Sequence, residues 1–290
     1  MSETILEVCN LNKQYTNFAL KNVSFDLKEG TIYGFIGRNG AGKTTTLKCI
    51  YNLVHSDSGE ILYQGEKFQS VEVKAKNEIG LLFGGVDFYP NQKAKTIAKV
   101  TATFYDSWDQ ELYLKLLKFF DLNQEKKIKQ LSNGMKVKFG LTLALSHGAK
   151  VLLLDEPTSG LDPVSRDEVL DCFMKICELK KTTILFSTHV ISDLDKCADE
   201  IIYIKQGEIY QNSTVSKFKS DYLHIEGSAD SLNGINKDNI GRLFIHQGKF
   251  SGIILKKQQN DFAQFALREP TLEELMLYIE RGHENEETPF

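Results

Sequence analysis

The chain has 290 residues, 41% of them hydrophobic and 26% charged, the make-up of a folded globular protein with one large domain or one plus a small one. Lys and Arg number 35 against 39 Asp and Glu, a formal net charge of −4. That balance speaks against free nucleic acid as the main partner, which wants a basic face. Five scattered cysteines without a CxxC pair speak against a disulfide framework or a zinc site and for a reduced chain. The first ten residues predict no signal peptide, and no window approaches 18 apolar residues.

Residues near 5–9 and 22–28 alternate as strands, and Ile32–Ile36 is a short apolar strand. It runs into Gly37-Arg38-Asn39-Gly40-Ala41-Gly42-Lys43-Thr44 and then a helical stretch through Leu53. This run matches G-x-x-x-x-G-K-[ST] in full, in the strand-to-helix setting the motif needs. Its glycines let backbone N–H groups converge on phosphate oxygens, and the helix N-terminus adds partial positive charge. Lys43 is placed for the β- and γ-phosphates and the Thr44 hydroxyl for Mg²⁺. The spacing is not the G-x-G-x-x-G of dinucleotide enzymes.

Ser58-Gly59 and Gly65 bound a further strand, Glu60–Tyr63. From about 68 to 135 the pattern reads as helical. Ser107 and Gln110 form a predicted capping box, and Trp108, Leu112, Leu116, Phe119 and Phe120 recur at helical spacing as core residues. Glu125-Lys126-Lys127-Ile128-Lys129 reads as a solvated face.

From 136 to 205 strands and helices alternate, which argues an α/β fold. Val151–Leu154 is continuously apolar, as a strand buried on both faces should be. Asp155 and Glu156 emerge at its C-terminal end, where open α/β sheets bind ligands. Asp155 is then placed for Mg²⁺ through water and Glu156 for an attacking water. A helix at about 165–179 supplies the crossover to a strand at Thr182–Ser187. A GTPase would need Asn-Lys-x-Asp; Asn236-Lys237 is followed by Asn239 and lies in the wrong region. Beyond about 220, Leu243–Ile245 and Ile253–Leu255 flank Gly248-Lys249 as a hairpin. Thr271 and Glu274 form a capping box for a helix that Gly282 closes, and the last eight residues are expected to fray.

Leu131-Ser132-Asn133-Gly134-Met135, just before the Asp155-Glu156 strand, resembles the signature sequence of ABC ATPases, commonest as LSGGQ. The family's other marks stand in order: Tyr15, the Gly37–Thr44 loop, Asp155-Glu156, Ser159-Gly160-Leu161-Asp162 and a lone His189. The match covers about residues 3–215. LSNGMKVKFGLTLAL, LDEPTSGLDPVSRDE and FSTHVISDLDK look like small bacterial exporter ATPases of the YtrB and phenol-soluble modulin exporter type.

The resemblance implies an ABC-type P-loop NTPase core with a β-rich N-terminal part and a helical subdomain at about 84–146. The ATPase domain would span 1–219, with a small α+β accessory domain at 220–290. It implies ATP as substrate and Mg²⁺ as cofactor. Nucleotide contacts fall to Tyr15, Gly37, Arg38, Asn39, Gly40, Ala41, Gly42, Lys43, Thr44 and Thr45. The metal falls to Thr44 and Asp155, and catalysis to Lys43, Glu156 and His189. Tyr15 would stack on adenine, with Phe18 close enough to share the role. Two subunits of the family pair head to tail, so Ser132, Asn133, Gly134 and Met135 would face the partner's ATP. Asp162 would link the two sites.

The function so implied is ATP hydrolysis at the cytoplasmic face of the membrane. It would power export of amphipathic or antimicrobial peptides through separate polytopic membrane subunits docked at about 84–110, with no DNA or RNA involved. The alternative is a soluble ABC-type ATPase with a regulatory or nucleic-acid-related role. One departure stands out. The family places a Gln on Mg²⁺ where this chain has Gly84, and Gln92 comes too late to replace it. A water is expected at that position, with Asp87 the nearest acid.

Overall fold

Alternation of buried and exposed side chains builds the first two strands, β1 (Thr4–Gln14) and β2 (Ala19–Lys28). There follow β3 (Ile32–Ile36), α1 (Lys43–Ile50), β4 (Ser58–Tyr63), β5 (Glu66–Lys67), α2 (Glu72–Glu78) and β6 (Ile79–Phe83). A helical segment holds α3 (Ala94–Ala102), α4 (Gln110–Phe119) and α5 (Asn133–Ser146). Then come β7 (Val151–Asp155), α6 (Pro163–Lys180), β8 (Thr183–Ser187), α7 (Ser192–Cys197), β9 (Glu200–Lys205) and β10 (Glu208–Thr214). The computed structural model describes residues 3–83, 89–232, 235 and 237–281. Gly84, Asp87 and Gly282, and with them the expected metal-site water and helix stop, lie outside the described residues. So do the last eight residues.

Two units emerge, Met1–Asn212 and Ser213–Phe290. In the first, one sheet runs β2-β1-β4-β5 and the other β10-β9-β3-β8-β7-β6. The strands β9, β3, β8, β7 and β6 are mutually parallel. All five residues of β3, β7 and β8 are buried, which is why each lacks a polar break among its apolar positions. Leu6, Leu11, Val23 and Leu27 of the first sheet pack with Phe35, Leu47, Leu153, Leu185 and Ile202 in one core. The helical segment has its own core of Ile97, Tyr113, Leu117, Ile128, Phe139 and Leu143.

Three sequence expectations need correction in this segment. Ile79–Phe83 is a strand rather than part of a helical run: paired in parallel with β7, it completes the edge of the sheet. The predicted cap at Ser107 moves to Asp109, whose carboxylate accepts from Leu112 N at 2.8 Å. Ser107 instead donates its hydroxyl to the carbonyl of His147, and Trp108 Nε1 holds the Gln110 side chain at 3.0 Å. The buried stripe of α4 is Tyr113, Leu116 and Leu117, with Phe120 after it. Phe119 is 46% exposed, and Lys175 Nζ lies 5.6 Å from the centre of its ring.

The second unit comprises α8 (Val215–Ser220), β11 (Tyr222–Ser228), β12 (Gly241–His246), β13 (Lys249–Leu255), β14 (Ala266–Arg268) and α9 (Leu272–Arg281). Its antiparallel sheet runs β12-β13-β11-β14 over a core of Ile225, Phe250, Ile254 and Phe262. Gln247 and Gly248 turn the β12–β13 hairpin with φ of 50° and 74°, the left-handed pair of a type I′ turn. Thr271 and Glu274 cap α9 reciprocally, at 3.2 and 2.8 Å.

Glu274 also carries a pH prediction. Burial pushes its carboxyl up, but two bonds from Arg268 (2.9 and 2.6 Å) and one from Thr271 N outweigh that and hold it at about 2. A depressed folded-state pKa stabilises fully above the unfolded value near 4.5, and the gain is lost as pH falls through about 2. Acid melts between pH 5 and 2 should therefore show a falling Tm, and Glu274→Gln should flatten that part of the curve. An unchanged slope in the variant would contradict the assignment.

Candidate active site

The site grows from the end of β3. Residues 37–42 turn the chain from that strand into α1, whose N-cap is Gly42 at φ 116° with no side-chain cap. The first N–H groups of the helix are thus left for a ligand. Glycine is required at two points. A Cβ on Gly37 would lie 2.3 Å from the Ile204 carbonyl, and one on Gly42 would lie 2.6 Å from Leu20 and 2.9 Å from Phe18. Arg38, Asn39 and Gly40 are exposed at the tip of the loop, and Ala41 is buried.

Lys43 is 6% exposed and folds back over its own loop, donating to the Gly37 carbonyl at 2.7 Å and that of Arg38 at 3.3 Å. Burial lowers its pKa, against the opposing pull of Glu156 and Asp155. A buried ammonium that finds only neutral carbonyls is suited to take an anion in their place. Thr44 donates its hydroxyl to Asp155 Oδ2 at 2.7 Å. Thr45, next on α1, is partly buried.

The acids lie across the sheet from this loop. The strands β7 and β8 pair in parallel with Asp155 opposite Ser187. Ser187 Oγ donates to Asp155 Oδ1 at 2.5 Å and accepts from Glu156 N at 3.0 Å. Glu156 itself sits at φ 52°, the left-handed region, uncommon for a residue with a side chain. Its Oε2 lies 3.0 Å from His189 Nδ1. One continuous chain of contacts therefore joins Thr44, Asp155, Ser187, Glu156 and His189. Ser187 was not singled out from the sequence; its signal is its place next to Thr188-His189, and its role needs the strand register.

Tyr15 is 41% exposed and stacks on Phe18 at 6.4 Å between ring centres. Phe18 in turn lies against Gly42, so both aromatics stand beside the loop. Ser132 caps α5, its Oγ accepting from Met135 N at 3.2 Å, and Asn133, Gly134 and Met135 form the first turn. Among the described contacts none joins these four residues to the Gly37–Thr45 loop. Gly134 instead faces Leu161, at 3.3 Å from a Cβ built there. Asp162 caps α6, accepting from Ser165 N at 3.0 Å and Val164 N at 3.1 Å, bonds that lower its pKa.

The oxygens of Thr44 and Asp155 form a hard donor pair at the foot of the loop. They fit Mg²⁺, which takes one or two protein oxygens and fills its shell with phosphate and water.

A family profile described as ABC transporter matches residues 20–159. The chain is 29% identical over 268 residues to the ABC transporter ATP-binding protein YtrB of Bacillus subtilis (strain 168), covering 91% of each. It is 33% identical over 207 residues to the lantibiotic transport ATP-binding protein SrtF of Streptococcus pyogenes, covering 71% of this chain and 89% of that one. A solved ATP-binding subunit of an ABC transporter superposes with a TM-score of 0.68 at 26% identity, covering 75% of this chain and 92% of that one.

Proposed function

Because the chain belongs to the ABC transporter ATP-binding proteins, we propose that it is the ATP-hydrolysing subunit of a bacterial exporter. The observation that carries the proposal is the chain of contacts from Thr44 to His189 beneath an anion-ready loop. The loop amides and Lys43 take the β- and γ-phosphates, Lys43 leaving its carbonyls to do so. Tyr15 and Phe18 offer the adenine an aromatic face. Mg²⁺, held by Thr44 and Asp155, supplies charge neutralisation on the phosphates. Glu156 orients the water and takes its proton. His189 Nδ1 meets one oxygen of Glu156, leaving the other for the water, and in the imidazolium form its second ring nitrogen would donate to the γ-phosphoryl. Ser187 fixes Asp155 and the Glu156 backbone together.

Ser132, Asn133, Gly134 and Met135 complete the site of a second ATPase subunit, paired head to tail. That no described contact joins them to the loop of their own chain agrees with this. Every candidate residue precedes Asn212, and residues 220–290 act as an accessory domain outside the reaction. Among the described residues no helix is long and apolar enough to cross a membrane. On this reading separate polytopic subunits form the path, with this chain on their cytoplasmic face. The lantibiotic relative favours amphipathic or antimicrobial peptides as cargo.

The docking face is the described part of the segment 84–110. Tyr89, Pro90, Gln92, Thr96, Ile97 and Val100 line an apolar groove of about 830 Å³, and Tyr89 is 77% and Val100 54% exposed. Purification of the tagged chain from native membranes should bring down a polytopic membrane chain. Recovery of ribosomes or nucleic acid without one would favour the soluble ATPase instead. Val100→Asp should cut recovery of the membrane chain by about tenfold or more, the effect of a charge at an interface centre, and leave ATP binding unchanged. Full recovery from Val100→Asp would move the docking face elsewhere.

A further inference from the structure

We infer that Asp193 positions His189 against Glu156 and carries the conformation of the 158–162 loop to that pair; the inference rests on the ATPase reading above.

Asp193 is an acid inside the protein, its side chain 1% exposed. Each carboxylate oxygen has a partner from a different segment. Oδ2 accepts from Thr158 Oγ1 at 2.7 Å, and Oδ1 accepts from Arg166 Nε. Arg166 Nη2 continues to Ser192 Oγ at 2.8 Å. Thr158 is itself 2% exposed. Asp193 is thus met on one carboxylate by the turn at Thr158 and the first helical turns of α6 at Arg166, 35 and 27 residues before it.

Their positions in the chain give this junction its use. Thr158 lies two residues after Glu156, in a turn closed by Ser159 N on the Glu156 carbonyl at 3.2 Å. Asp193 lies four residues after His189. The turn between them is closed by Val190 N on Thr188 Oγ1 at 2.9 Å and Asp193 N on the Val190 carbonyl at 3.2 Å. Arg166 sits one helical turn after Asp162, its amide on the Asp162 carbonyl at 3.0 Å. The facing pair Glu156–His189 is therefore bridged a second time, behind the site, by Thr158–Asp193.

Arg166 connects that bridge to the helix that Asp162 starts. Lys196 adds a strap between α7 and α6, to Asp171 at 2.8 Å and to Asp167. The six-residue α7 has no side-chain N-cap, and beside its buried Leu194 and Cys197 these ties fix it to α6 and to the Thr158 turn. On this inference a shift of the 158–162 loop, or of the first turn of α6, is passed through these contacts to α7 and the His189 turn. A buried ion pair is a weak source of stability, because desolvation offsets the attraction. A fixed geometry between Glu156 and His189 is what this one supplies.

Kinetics of the full-length chain test the inference, with Thr158→Val, Thr158→Ser and Asp193→Asn beside the wild type. Thr158→Val keeps the shape and removes the hydroxyl. Its kcat for ATP should fall by about 10- to 100-fold, the scale of a misplacement of ~1 Å at a reacting centre. KM for ATP and nucleotide binding should stay within about twofold. Thr158→Ser should restore kcat to within about threefold. Asp193→Asn should lower kcat similarly, and the double variant should fall no further, since both break one junction.

A folded, nucleotide-binding Thr158→Val with wild-type kcat overturns the inference, as does a loss that serine does not restore. Should Thr158→Val fail to fold, Asp193→Asn decides: wild-type kcat overturns the inference, and a lowered kcat with unchanged KM supports it. A wild-type chain that neither binds nor hydrolyses ATP overturns the ATPase reading and this inference with it.

Discussion

Glu156→Gln is expected to lower steady-state ATP hydrolysis by about 10²–10⁴-fold, the usual worth of a positioned general base. The change is nearly isosteric, and the left-handed backbone at Glu156 accepts Gln as it accepts Glu. The amide can still meet His189, at 3.0 Å in the parent chain, but it cannot take a proton from water. Lys43, Thr44 and Asp155 are untouched, so ATP binding should persist. With turnover blocked, ATP should hold two subunits together, and a dimer should appear in light scattering with ATP but not with ADP. Wild-type turnover in the variant would remove Glu156 from the reaction.

Ser132→Arg should abolish hydrolysis while leaving nucleotide binding to the monomer intact. Ser132 caps a helix of 14 residues, and its loss as a cap costs about 1 kcal/mol, which the fold should tolerate. On the proposed head-to-tail pairing the larger effect comes from the arginine side chain, which would stand where the partner's nucleotide approaches the N-terminus of α5. No described contact joins Ser132 to the loop of its own chain, so binding there should not change. For the same reason, wild-type specific activity should rise with protein concentration. An active Ser132→Arg, or concentration-independent activity from a monomer, would contradict shared sites.

Legibility differed from element to element for physical reasons. The strands β3, β7 and β8 were readable because a strand covered on both faces needs apolar residues at nearly every position, a demand visible in five consecutive letters. The hairpin around Gly248 and the capping box of α9 were readable because both are closed by groups within four residues of each other. The capping box at Ser107 failed for the opposite reason. The helix starts two residues later, where the Asp109 carboxylate takes the capping role, and the Ser107 hydroxyl donates instead to the His147 carbonyl 40 residues on. The strand β6 was absorbed into a helical run because its periodicity is ambiguous over five residues, and only pairing with β7 decides it.

The same division runs through the candidate site. The sequence alone pointed to the glycines and Lys43-Thr44 of the loop and to the acids Asp155-Glu156 after a buried strand, local patterns whose candidate chemistry follows from covalent spacing. Ser132 was legible on its own as a helix N-cap, and its place at a partner's ATP came from the resemblance. Tertiary structure alone decided that Ser187 stands opposite Asp155 and supports the Glu156 amide. It alone decided that His189 meets Glu156, and that Thr158, Arg166 and Asp193 close behind them. These contacts span 27 to 35 residues or depend on strand register. A hydrogen bond of that reach is set by how α6 returns the chain from β7 to β8, and no spacing of letters along either strand encodes it.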